Sequence, residues 1–221
     1  MSLLITVRGS AERSCPAERG IVSLGAHVEG SEKDEVVARA KRALDPLVSQ
    51  LGELQQRGAL ATWSSDQVRV ISQHPWAGDR RSDEVVHTAS FGVRAEFVDF
   101  EKLAGFVDHW AGRDHVEVHG LAWDVLASHR RAYVAEVRKA AVDDAVATAQ
   151  AYADAVRRGR VTPVEIADPG MLGDGSGGGG AAPIMAKAAF ADLSSDGGPG
   201  LRLEPEDILI EVSVDARFTT D

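Results

Sequence analysis

The strongest constraint on the fold of this chain is an alternation of apolar and polar residues close to its end. Between Asp207 and Phe218 every second residue is apolar: Ile208, Ile210, Val212, Val214, Ala216 and Phe218. A period of two over this length is typical of a β-strand with one buried face and one solvated face. The chain opens with the same alternation at Leu3, Ile5 and Val7. We therefore predict that both segments are strands built into a sheet.

The charge balance and the lengths of the apolar runs limit the possible partners. The 221 residues include 34 acidic and 24 basic side chains, a net charge of -10, whereas nucleic-acid binding needs a basic surface. No apolar run approaches the length of a membrane span, and the first residues lack the apolar core of a signal peptide. We expect a cytoplasmic protein with no nucleic-acid partner and no membrane span. The single cysteine, Cys15, excludes an internal disulfide.

Hydrophobic periodicity along the whole chain predicts strands and helices in the order ββαββαβαββ. The predicted strands cover about residues 3–12, 21–29, 61–73, 84–98, 115–121, 161–167 and 207–218, and the predicted helices cover 31–58, 99–112 and 128–158. Ser31 and Asp99 are expected to cap the first two helices. Pro46 is expected to kink or break the first helix.

This order of elements favours an α+β fold, with a largely antiparallel sheet and helices packed on one face. We predict a single domain over residues 1–221. The third helix has an inner stripe of mostly small residues: Val134, Val137, Ala141, Ala145, Ala149 and Tyr152. Small residues at these positions would allow the helix to lie close to the sheet.

The segment at about 168–204 is uncommonly long for a connection within a compact domain. Its glycine run, Gly177 to Gly180, lacks the Lys-Ser/Thr pair of a phosphate-binding loop and is interpreted as a flexible linker. An apolar island follows that contains Ile184, Met185 and Phe190. Because such an island cannot bury itself alone, we predict that it contacts a neighbouring subunit, which would offset the entropy cost of ordering it.

Four stretches in this order carry a family resemblance. They are Ile5 to Gly9 with the strand at 21–25, Ala141-x-x-Asp144-Ala145, Gly159-Arg160-Val161, and Pro205 to Ile208 with the strand that follows. Together they resemble the SIMPL-domain family, which includes bacterial periplasmic immunogenic proteins and animal kinase-associating proteins. The chain departs from that pattern at Pro16-Ala17-Glu18, where relatives carry Pro-Asp. Many relatives carry an export signal, which we do not expect for this chain.

The resemblance implies an assembling or binding protein more than an enzyme. The family has no agreed enzymatic activity, so no catalytic residue can be transferred to this chain. Some relatives assemble into ring-like oligomers, and others are linked to stress protection or partner binding. We therefore predict a non-enzymatic protein that forms homo-oligomers and uses no cofactor; another protein is the alternative partner.

His115, Glu117 and His119 are the sharpest metal-binding candidates, since alternate residues of a strand point to one side. On a straight strand the two histidines lie too far apart for one zinc ion. A bulge, or a further ligand such as His27, would be required. The alternatives are a solvated polar face, or a module that binds a small ligand or a metal with these four residues.

A hydrolase is a third hypothesis, because His87 falls in the apolar phase of its predicted strand. Histidines at such positions are more often hydrogen-bonded core residues than catalytic ones. No nucleophile–base pair is evident in the sequence, and we predict no catalytic residue.

Overall fold

The computed structural model describes residues 2–77, 80–81, 83–172 and 202–221. The predicted oligomer contacts Ile184, Met185 and Phe190 and the glycine run lie outside the described residues. The elements are β1 (Leu3–Cys15), β2 (Arg19–Gly30), α1 (Lys33–Gln56), β3 (Leu60–Gln73), β4 (Trp76–Ala77), β5 (Arg80–Arg81), β6 (Val86–Phe97), α2 (Phe100–Ala111), β7 (Val116–Asp124), α3 (Ala127–Ala155), β8 (Thr162–Ala167) and β9 (Ile208–Thr220).

The predicted α+β class and the predicted order of elements are confirmed, with β4 and β5 added as a small ribbon. The main strands form two separate antiparallel sheets. The described residues divide into two compact units: unit one holds 2–16, 125–172 and 207–221, and unit two holds the rest of the described chain. The single domain expected from the sequence stays a prediction.

Unit one joins the two ends of the chain in one sheet, as the alternation predicted. The strand order is β1-β9-β8, and β1 pairs with β9 along its whole length, from Leu3 opposite Thr220 to Cys15 opposite Ile208. The alternate residues of β9 beginning with Ile208 are buried, and α3 packs on β1 and β9.

The close approach of α3 to this sheet is also as predicted. A Cβ atom added to Gly9 would lie 2.5 Å from the Ala145 amide nitrogen and still closer to the Ala141 carbonyl oxygen. The buried stripe of α3 differs from the predicted one at its end. Tyr152, which was predicted to face inwards, is 58% exposed, and Ala153 is fully buried instead. The buried positions advance in steps of four from residue 137, and the next step reaches Ala153.

Unit two is built on the sheet β3-β6-β2-β7, with α1 on β2, β6 and β3 and with α2 mainly on β7. Val22, Leu24, Phe97 and Trp123 are fully buried in its core. The predicted cap of α2 is confirmed, because the Lys102 amide donates to Asp99 Oδ1 at 3.0 Å. This cap fixes where the chain turns from β6 into the helix.

The start of α1 differs from the sequence prediction. The N-cap is Glu32 and not Ser31, and its side chain makes no capping hydrogen bond. The break that Pro46 could have caused does not occur, since α1 continues to Gln56. Leu47 and Leu51, which follow the proline, are fully buried. Their packing offsets the cost of about 3 kcal/mol that proline imposes in a helix interior.

Candidate functional site

A shallow pocket lies on the side of the unit-two sheet that faces away from the buried residues of β2. Arg69, Ser90 and His27 stand opposite one another on β3, β6 and β2, and Ile71, Thr88 and Glu29 form the next row. With Gln73 they enclose about 190 Å³. We call this the polar-face pocket.

Hydrogen bonds link the residues of this pocket across the strands. His27 Nδ1 lies 3.0 Å from Ser90 Oγ, and Thr88 Oγ1 donates to Glu29 Oε1 at 3.2 Å. His27 Nε2 lies 3.6 Å from Glu29 Oε1, and these two side chains are 37% and 57% exposed. An ion pair so exposed to solvent contributes little to stability.

The polar-face pocket contains the residue types of a nucleophile, a base and an acid, but its geometry is poor for acyl transfer. The separation of 3.6 Å between His27 and Glu29 is too long for a hydrogen bond. Strand β6 lies between β3 and β2, so backbone N–H groups around Ser90 are committed to strand pairing and cannot stabilise an oxyanion. The arrangement suits the recognition of a polar group.

The metal candidates are not brought together. His115 precedes β7 with a φ of 64°, and its carbonyl accepts from the His27 amide at 2.9 Å. Ser23 pairs with Gly120 whereas Leu24 pairs with Val118, so His119 is an extra residue in β7. This bulge interrupts the regular alternation, which was the reason to expect Glu117 and His119 on one side of the strand. Glu117 stands opposite Gly25. Within the described ranges, no group of three or more His, Cys, Asp and Glu side chains could hold a metal ion.

His87 lies at the start of β6 and is half-buried. Its Nδ1 atom is 2.7 Å from Ser72 Oγ on the neighbouring strand. It belongs to the opposite side of the sheet from Ser90, since successive strand residues alternate. It therefore does not contribute to the polar-face pocket.

Arg19 joins β2 to its neighbours on both sides. Its guanidinium lies 2.5 Å from Glu96 and 2.6 Å from Asp124. Burial opposes the charge of Arg19, but the hydrogen bond with Asp124 and the charges of Glu96 and Asp124 outweigh it and raise the pKa of the guanidinium. This residue ties three strands together.

A second polar cluster lies on the unit-one sheet, on the face that α3 does not cover. Arg8 Nε contacts Asp215 at 2.7 Å, and the Gly170 amide donates to Asp215 at 2.7 Å. Arg217 donates to Glu165 at 2.6 Å and to the Leu172 carbonyl at 3.1 Å. These contacts hold segment 168–172 on the sheet.

The charge of Asp215 is stabilised in this cluster. The hydrogen bond from Arg8 lowers the pKa of Asp215 most, burial opposes the shift, and the Gly170 amide lowers the pKa further. The same pairing raises the pKa of Arg8. Arg8 and Asp215 each stabilise the charge of the other, so both side chains are held in their charged forms. We therefore interpret this ion pair as a structural contact.

Both edges of the unit-one sheet are protected against strand pairing. On β1, the Ser10 amide donates to Asp144 Oδ2 at 2.9 Å. Arg13 pairs with Glu136 and lies 4.5 Å from the centre of the Tyr133 ring. On the other edge, β8 carries Pro163 and a register shift just after it. Charges, prolines and bulges are the usual means of protecting an edge.

The sequence analysis missed the role of Asp144. The residue lies within the Ala141-x-x-Asp144-Ala145 ladder of α3. The buried alanines bring the helix backbone against β1, so a carboxylate on the flank of that stripe can reach the strand edge. A close-packed alanine stripe with one flanking acid is the signal that could have identified it.

The edge of the unit-two sheet formed by β3 carries exposed valines among polar residues. Val68 is 71% exposed and Val70 is 38% exposed. In the ribbon that follows, Trp76 is 69% exposed and lies beneath the Arg81 guanidinium, 5.7 Å from the ring centre. We call these residues the β3 edge. At the opposite side of the sheet, β7 exposes Glu117 and His119 instead.

Comparison with known proteins identifies the family of this chain. No helix in the described part of the chain has the length and apolarity needed to cross a membrane. No curated protein matches the sequence. The sequence model of the SIMPL family, described as a protein of unknown function (DUF541), matches residues 5–218. The match extends from β1 to β9 and includes both units, and the chain therefore belongs to the SIMPL family.

Proposed function

We propose that this SIMPL protein is a non-enzymatic binding protein that assembles with copies of itself through the β3 edge. The observation that carries the proposal is the exposure of Val68 and Val70 on the edge strand β3 and of Trp76 in the ribbon that follows it. Covering a valine side chain stabilises a complex by roughly 1–2 kcal/mol. An exposed apolar edge strand also offers unpaired N–H and C=O groups to another strand.

The contrast with the other sheet edges supports this choice. Asp144 and Pro163 protect the two edges of unit one, and polar side chains occupy β7. The register shifts of β3 lie before residue 68, and the stretch from Val68 to Gln73 pairs regularly with β6. A second copy of this stretch could pair with it about a two-fold axis, the commonest symmetry of homo-oligomers.

The test is the mass of the protein in solution at micromolar concentration. We expect sedimentation to give a species larger than the 23.5 kDa chain, and we expect Val68→Lys to shift it towards the monomer. Val146→Lys is the matched control, since Val146 is a 40% exposed valine on α3. A monomeric wild-type protein, or equal masses for the two variants, would refute the proposal.

The segment that contains Ile184, Met185 and Phe190 remains a further predicted contact. Deleting residues 175–195 tests it separately, because an assembly that depends only on the β3 edge keeps its size. A cytoplasmic location and a role in stress protection likewise stay predictions.

A second candidate function is the binding of a small polar ligand in the polar-face pocket. The observation that favours it is Arg69, which has no hydrogen-bond or ion-pair partner among the described side chains and lies across from Ser90 and His27. Arg69→Gln should abolish the binding of such a ligand and leave the mass of the assembly unchanged. The two proposals are thereby separable.

A further inference from the structure

A larger cavity lies elsewhere in unit two, between α1 and the connection from α2 to β7. It has a volume of about 580 Å³, within the range of small-molecule sites. Ala43, Pro46 and Gln50 form one wall, and the other wall is formed by His109, Trp110, Gly112, Arg113, Asp114 and Val116. We call this cavity the trough.

Contacts at both ends hold the two walls of the trough together. The Trp110 indole N–H donates to Gln50 Oε1 at 2.6 Å. Towards the start of α1, Arg39 Nη2 lies 3.3 Å from His115 Nε2. Arg39 precedes Ala43 by one helical turn, so both contacts lie along the same stripe of α1. The cavity is therefore formed before any ligand binds.

Two backbone irregularities lie in or beside the trough: Pro46 is part of its lining, and His115 lies between the lining residues Asp114 and Val116. Pro46 occupies a helix interior, where proline is about 3 kcal/mol less favourable than alanine, and it brings no N–H to the Arg42 carbonyl. His115 adopts a left-handed conformation with a φ of 64°. Costly backbone features of this kind concentrate at functional sites. Their coincidence at one cavity favours a role in binding.

Two arginines and one acid lie in or beside the trough, whereas acids outnumber basic residues in the chain as a whole. Arg113 is the arginine of the lining, Arg39 lies close by through its contact with His115, and Asp114 is the only acid among the lining residues that the structure describes. The whole chain has a net charge of -10. Arg113 is exposed, forms no ion pair within the described ranges, and lies 3.4 Å from His109 Nε2. Its planar guanidinium is suited to bind a carboxylate with two hydrogen bonds.

We propose that the trough binds a small organic carboxylate whose apolar body lies against Ala43, Pro46 and Trp110 and whose charge pairs with Arg113. The apolar part of the wall would cover a flat or aliphatic body. Asp114 disfavours a doubly charged phosphate more than a singly charged carboxylate, because repulsion from its own carboxylate grows with the charge of the ligand. The site is separate from the β3 edge, and the binding does not depend on self-assembly.

The proposal can be tested by calorimetry on the full chain with 2-naphthoate and with uncharged 2-naphthamide. We expect one naphthoate per chain and binding at least tenfold weaker for the amide. Arg113→Gln should remove this difference, and Ala43→Trp should abolish the binding of both by filling the cavity. Arg94→Gln is the control, since Arg94 is an exposed arginine on the polar side of the same sheet.

Three results would overturn the proposal. They are the absence of naphthoate binding at millimolar concentration, equal binding of acid and amide, and unchanged naphthoate affinity in Arg113→Gln. The arginine variant alters only an exposed side chain, so the test remains decisive even if Ala43→Trp does not fold.

Discussion

The substitution Gly9→Ala tests the packing of α3 on the unit-one sheet. The new Cβ atom would lie 2.5 Å from the Ala145 amide nitrogen, about 0.9 Å closer than the 3.4 Å at which ordinary contacts begin. The Ala141 carbonyl oxygen is closer still. Both obstacles are backbone atoms of a helix, so no side chain can rotate away and the helix itself must move.

The magnitude follows from this geometry. Overpacking a core costs about 1–3 kcal/mol, and the upper end applies because the backbone has to shift along the buried alanine stripe. A loss of about 3 kcal/mol corresponds to a fall in Tm of roughly 6–12 °C for a chain of this size. Urea and thermal unfolding followed by circular dichroism measure both quantities.

Gly52→Ala provides the matched control. Gly52 lies inside α1, and its added Cβ would meet no atom within 4 Å. Alanine is favoured over glycine in a helix interior by about 1 kcal/mol, so this variant should be slightly more stable than the wild type. The reasoning is wrong if Gly9→Ala unfolds within about 0.5 kcal/mol of the wild type.

Three further predictions concern single side chains. Because the pKa of Asp215 is lowered in the folded protein, its charge stabilises the fold above about pH 4, and this contribution is lost as the pH falls through the lowered pKa. In acid titrations followed by fluorescence, Asp215→Asn should therefore be less stable than the wild type at pH 7, and the difference should shrink as the pH falls through the lowered pKa of Asp215. Asp144→Ala should cost about 1 kcal/mol in urea unfolding, because it removes the hydrogen bond that the Ser10 amide donates to Asp144. Asp143→Ala should be neutral, and equal effects of the two substitutions would contradict the edge contact. Pro46→Ala should raise the unfolding free energy by about 1 kcal/mol or more, and an unchanged or lower value would show that the proline carries no cost in α1.

The features that local patterns determine were predictable from the sequence. The period of two at Ile208 to Phe218 identified β9 and its buried face, and Asp99 identified the start of α2. Such patterns depend on near neighbours along the chain, which is why one sequence is sufficient to find them. The shared alternation predicted that β1 and β9 are sheet strands, but their direct pairing was found only in the structure.

The features that depend on contacts between distant elements were not predictable. The bulge at His119 arises from the pairing of β7 with β2, and it breaks the spacing on which the metal hypothesis rested. The trough likewise depends on the position of α1 beside the α2–β7 connection. The sequence does contain Pro46 as a signal, but only the fold shows that this proline lines a cavity.

Directed cross-linking tests the proposed self-assembly most directly. Cys15 is the only cysteine and is buried, so a Cys15→Ala background allows one thiol to be placed on the β3 edge by Val68→Cys and, as a control, on α3 by Val146→Cys. If two β3 edges meet, mild oxidation should give a covalent dimer for Val68→Cys and little for Val146→Cys. Equal yields from the two positions, or no dimer from Val68→Cys, would contradict assembly through the β3 edge.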